Sequence, residues 1–151
     1  MLLFSCNEAP KKIEQIEKRS SMAKRIQIDE LKGEIQKLKN GQTEFDFVGI
    51  TSNGIDCIYF IYENNKFNIE FEAISENQIA FIDKIKEFAD SNEFKTKFTT
   101  YNNKPHYKSD KPAPVLKIEI AAELDKIIEI GQNIQSQIFK NNKETIYDVV
   151  P

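Results

Sequence analysis

The chain has no Trp, one His and two Cys among 151 residues. Cys6 and Cys57 are too few for a disulfide scaffold, and with a single His they offer no N/S ligand set for a structural metal. No G-x-G-x-x-G, Walker-type loop or G-x-S-x-G occurs, so phosphate cradles and nucleophile elbows have no support. No stretch reaches the roughly 18–20 apolar residues of a membrane-spanning helix. Basic charge is also short. The net charge of −3 argues against nucleic acid as the main partner, because binding phosphates needs concentrated Lys and Arg.

What is present is an ordinary globular balance, 40% hydrophobic and 30% charged, with eleven Phe and five Tyr. The charge is unevenly spread. Residues 8–39 carry nine Lys/Arg against six Asp/Glu (+3), and residues 41–151 carry twelve against eighteen (−6). The acidic part favours basic partners or plain solubility.

Residues 11–40 lack Pro and read as a long N-terminal helix ending at Asn40-Gly41. Ile28, Leu31, Ile35 and Leu38 keep a 3-4-3 spacing. That stripe either packs on the domain or forms a seam between two copies, leaving a homodimer open. After Gly41 the period becomes two. Phe45–Ile50, Cys57–Tyr62 and Phe67–Glu72 predict three strands joined by turns at Asn53-Gly54 and Asn64-Asn65. Cys57–Tyr62 shows no alternation, which predicts a central strand covered on both faces, with Cys57 a small buried hydrophobe.

Ser75 and Gln78 form a capping box opening a helix with Ile79, Ile82, Ile85 and Ala89 on one face. A weak strand over 95–101, a polar loop over 102–114 and a strand over 115–120 follow. A second helix runs over 123–139, where Gly131 lets it sit close to the sheet. A short strand over 145–150 ends the reading. The expected fold class is α+β: an antiparallel sheet of five to six strands, two helices packed on it and a long N-terminal helix before it. The division is 1–10 tether, 11–40 helix and 41–151 a single domain.

Chemistry is sparse. Glu70 and Glu72 share a strand face, but alternation with Phe and Ile marks them as a solvated outer surface rather than an acid–base pair. The varied polar cluster is Tyr101, Lys104, His106, Tyr107, Lys108 and Asp110. Its mixture of aromatic and basic groups suits a protein contact, and a plain connector fits equally. No nucleophile–base pair is evident, so neither catalysis nor a cofactor is expected.

Leu3-Phe4-Ser5-Cys6 resembles the lipobox of bacterial lipoproteins, in which a Leu at −3 and a small residue at −1 precede the lipidated Cys. The resemblance implies lipidation at Cys6 and a cell-envelope location, the membrane being reached only through the lipid. The basic and apolar parts of a signal peptide are missing, which a gene start placed too far downstream would explain. The other reading starts the protein near Met22. Element order and size resemble the small acidic chaperones of type III secretion, implying a cytoplasmic chaperone or adaptor. Small acidic α+β chains without a catalytic constellation also resemble bacterial toxin-immunity proteins, which occlude a partner. The leading expectation is a non-enzymatic protein-binding module of the immunity or inhibitor type, anchored in the envelope.

Overall fold

A computed structural model describes residues 24–105 and 111–151, with the backbone alone over 101–105. The elements run β1 (Arg25–Ile26), a 3-10 turn (Ile28–Glu30), α1 (Leu31–Lys39), β2 (Phe47–Thr51), β3 (Ile58–Glu63) and β4 (Lys66–Glu72). They continue with α2 (Glu76–Ser91), β5 (Lys95–Pro105), β6 (Pro112–Ala122), α3 (Leu124–Asn133), a π-turn (Ile134–Ile138) and β7 (Tyr147–Val150). The class is α+β, as expected. The sheet has seven strands in the order β1-β7-β2-β3-β4-β6-β5, every pairing antiparallel, so five to six strands was an undercount.

Of the expected helix over 11–40, the described residues show α1 and the 3-10 turn before it; residues 11–23 lie outside the described part. At residues 25–26 the chain is strand, because Ile26 pairs with Tyr147 and both are nearly fully buried. Local sequence favoured helix there, and a partner far along the chain decided otherwise. The 3-4-3 stripe is used inside the domain. Leu31, Ile35 and Leu38 join the core with Ile50, Phe60 and Ile134, so this stripe is not free to pair with a second copy.

Strand alternation explains the core. Phe67, Ile69 and Phe71 of β4 lie opposite Tyr62, Phe60 and the inward row of β6, Ile118 and Leu116. Each such side chain removed from water contributes about 1.5–3 kcal/mol. The Asn64-Asn65 turn has φ of 52° and 62°, the two left-handed residues a two-residue type I′ hairpin requires. The capping box forms as expected: Ser75 Oγ accepts from the Gln78 amide, and Gln78 Oε1 accepts from the Ser75 amide. Gly131 also does what was expected of it. A Cβ there would stand 2.5 Å from Phe60 Cζ, so only glycine lets α3 descend onto the ring.

All three helices cover one face of the sheet. Gly131 of α3 meets Phe60 with Leu31 of α1 beside it, and Phe139, just past the π-turn, bridges Phe71 and Phe81 of α2 at centroid distances of 6.0 and 4.8 Å. β3 was expected to be covered on both faces. Its helix-side residues Ile58 and Phe60 are fully buried; on the other side Ile61 is buried as well, while Tyr59 and Glu63 are half-buried. Cys57 precedes the strand and is likewise half-buried; burial pushes its thiol up to about 11.

Candidate functional site: the open face of the sheet

The face opposite the helices follows from register. Phe47 of β2 stands opposite Ile61 of β3, and Gly49 opposite Tyr59. Tyr59 in turn faces Glu70 of β4, and Glu70 faces Lys117 of β6. These residues share one side of the pleat because successive side chains alternate. Of these, Phe47, Tyr59, Ile61 and Glu70, with Phe45 and Asp46 from the approach to β2, Thr99 from β5 and Val115 from β6, line an open groove of about 720 Å³.

One wall is aromatic. Phe45 and Phe47 stack with centroids 5.1 Å apart and planes 5° from parallel, and Tyr59 meets Phe47 edge-on at 5.8 Å. Phe45 keeps 47% of its surface exposed. Gly49 supports this ladder: a Cβ at Gly49 would fall 2.8 Å from Tyr59 Cε1, so the Tyr59 ring lies flat across the glycine. An aromatic ring over a cross-strand glycine shields backbone that a side chain would otherwise cover.

The floor is acidic. Asp46, Glu63, Glu70 and Glu72 all border the groove. Lys117 forms an ion pair with Glu63, whose carboxylate also accepts from Asn68 Nδ2 at 2.8 Å. Lys117 chiefly, and Asn68 with it, hold the Glu63 carboxyl below its usual range against the opposing effect of burial. Glu70 goes the other way. Burial raises its pKa, Glu63 and Asp46 add to the rise, and Lys117 offsets part of it. The Glu70 carboxyl makes no hydrogen bond to another described residue.

Asn68 has a second task that fixes the floor. Its Oδ1 accepts from the amides of Ile120 and Ala121 at 2.8 and 2.9 Å, filling the irregularity where the β4–β6 register shifts. A bulge held by a side chain re-aims the neighbouring residues without leaving backbone donors unpaired.

Behind the sheet's β2–β3 end lies a buried polar cluster of another kind. Asp56 is fully buried and accepts from Thr51 Oγ1, Ser52 N and Asn141 Nδ2, each at 2.8 Å, and from the Ser52 hydroxyl. Gln135, on the π-turn, donates to the Asp56 carbonyl at 2.9 Å. Burial alone would raise the Asp56 pKa, but the donors from Ser52, Thr51 and Asn141 bring it below its ordinary value. Nearby Tyr147 is pushed up to about 12 by burial and by the Asp56 charge. Asn141 Nδ2 donates to Gln135 Oε1 as well, so the carboxylate and both amides are hydrogen-bonded to one another. The cluster is a structural joint.

The residues singled out from sequence fall unevenly. Cys6, His106, Tyr107, Lys108 and Asp110 lie outside the described residues. Tyr101 and Lys104 are on strand β5, not in a loop: β5 extends to Pro105, which pairs with Pro112 at the start of β6. Of the expected loop over 102–114, residues 102–105 and 112–114 are strand, because pairing between the two strands continues past Thr100, and residues 106–110 lie outside the described part. Glu70 and Glu72 do lie on the outer face, yet half-buried in a groove rather than on a solvated surface. The aromatic wall was missed. Its signal was Phe45 and Phe47 two apart, the same spacing that marks any strand.

Among the described residues no group of His, Cys, Asp and Glu is placed to hold a metal, and no helix is long and apolar enough to cross a membrane. Compared with protein-family models, with curated proteins and with solved structures, the chain matches none.

Proposed function

We propose that this protein is a non-enzymatic binding module of the immunity or inhibitor type, tethered to the cell envelope through a lipid on Cys6, and that it occludes a partner with the open face of its sheet. One observation carries the contact surface: a stacked aromatic wall with Phe45 half exposed, bordering an open groove on the face away from the helices. Aromatic side chains expose large apolar area at low entropy cost, which is why they dominate protein interfaces. The matched donors around Asp56 and the lack of any nucleophile–base pair in the groove favour binding over catalysis.

A photo-reactive amino acid at Thr99, on the groove wall, tests the surface in native host cells. Adducts from Thr99 and none from Lys84, which lies on α2 across the sheet, are the expected result. Equal adducts from both positions, or none from either, discard the surface. The tether is tested separately by metabolic labelling with a clickable fatty acid: Cys6→Ala abolishes the label if Cys6 is the anchor. Absence of label in both forms returns the protein to the cytoplasm and to an adaptor starting near Met22.

A further inference from the structure

Four candidates stand out: the half-buried Cys57 thiol, the exposed Phe98 on edge strand β5, the cleft between α2 and the π-turn, and the open groove. The thiol is pushed up to about 11 by burial and is a poor nucleophile. Phe98 is 51% exposed, but Lys95 and Lys97 on the same strand oppose pairing of that edge with another chain. The cleft, bordered by Lys84, Glu87, Lys140 and Phe88, mixes both signs of charge and favours no occupant. The groove combines shape, aromatic surface and one sign of charge.

Resting on the contact surface proposed above, we infer that the groove receives a cationic side chain, arginine or lysine, presented on a segment of a partner protein. The cation would lie between the Phe45–Phe47–Tyr59 wall and the Glu70 carboxylate. Three arguments converge. A guanidinium or ammonium is attracted to an aromatic face and gains further from a carboxylate opposite it. Of the charged groups bordering the groove, Asp46, Glu63, Glu70 and Glu72 are acidic, and the nearby Lys117 is already engaged with Glu63. An incoming cation would also act with Lys117 in favouring the ionised form of Glu70, which burial, Glu63 and Asp46 disfavour.

The same features reject the other occupants. Aromatic sheet faces can stack the bases of single-stranded nucleic acid, but such surfaces need a positive groove for the phosphates, and this one is negative. A second copy docking face to face would bring the four carboxylates against their own images, and like charges directly opposed are destabilising. The long aliphatic stems of Arg and Lys suit the exposed apolar surface of Phe45, which also lines the groove.

The test is an NMR titration of the full chain with acetyl-Arg-Val-Arg-amide, and with acetyl-Glu-Val-Glu-amide as the control. Shifts concentrated at the amides of Phe47, Tyr59, Glu70 and Thr99 are expected for the basic peptide alone. Glu70→Gln, whose retained spectrum verifies folding, weakens that binding about threefold to tenfold, and added salt weakens it further. Shifts scattered over the surface, equal shifts with the acidic peptide, or indifference to Glu70→Gln overturn the inference. Concentration-dependent shifts of the same amides without peptide make a second copy the occupant and also overturn it. Persisting Thr99 adducts with failed peptide binding leave the contact surface standing and remove only its basic chemistry. Loss of both removes both.

Discussion

The two faces of this sheet are built from the same strands and spend their aromatic residues differently. On the helix side Phe60, Phe67 and Phe71 are almost wholly buried, each locked by a neighbour such as Gly131 or Phe139. On the open side Phe45 stacks on Phe47, Tyr59 meets Phe47 edge-on, and all three stay partly exposed beside carboxylates. A period of two allows this division: adjacent residues serve stability and recognition without sharing an environment. The faces should therefore respond to mutation in opposite ways.

The largest effect belongs to the covered face. Phe60→Ala removes a fully buried ring and should cost about 3–5 kcal/mol, read as a lower denaturation midpoint with an unchanged slope. Gly131→Ala, on the other side of that contact, should cost about 1–3 kcal/mol by overpacking, because its Cβ falls within 2.5 Å of the Phe60 ring. If Gly131→Ala is neutral, α3 is not seated as closely as described.

Asp56→Ala should cost a similar 1–3 kcal/mol by leaving buried donors unpaired. Its pH dependence has a definite sign. The folded pKa lies below the unfolded one, so the Asp56 contribution is complete above the ordinary carboxylate range and lost as pH falls through the depressed value. The gap between wild type and Asp56→Asn should narrow on acidification below about pH 4. A gap that widens there contradicts the assigned donors.

On the open face the stability effects shrink. Glu70 has a raised folded pKa, so ionising it costs stability, and that cost accrues as pH rises from the ordinary Glu value to the raised one. Glu70→Gln should thus be slightly more stable than wild type near pH 7, with the advantage fading in acid. Phe45→Ala should change stability by less than about 0.5 kcal/mol, since the ring is half exposed. A large loss for Phe45→Ala would mean the aromatic wall belongs to the core, and the contrast between the faces would collapse.

Much of the covered face was legible from sequence because its signals are local. Phe67, Ile69 and Phe71 alternate, Ser75 and Gln78 cap α2, and Gly131 sits in an apolar helix stripe. The open face was not legible, for a physical reason. Alternation reports that a strand has two sides but not which side the helices cover, and Phe45–Phe47 against Val48–Ile50 gives an apolar residue to each. Strand β1 was missed because Arg25-Ile26 looks helical on its own; Tyr147, its partner, is remote in sequence. β5 was cut short because Asn102, Asn103 and Pro105 are turn-forming residues held in strand by the β6 pairing.

β7 lies between β1 and β2, so the last strand of the chain is the second of seven in the sheet. Val149 pairs with Ile50 and Val150 with Gly49, and the Val149 amide donates to the Lys24 carbonyl at 2.8 Å. The sheet therefore cannot close during synthesis until Tyr147–Val150 has left the ribosome. Until then β2 is an edge and Ile26 has no partner. A chain built this way keeps both edges open until residues 147–150 are available to pair.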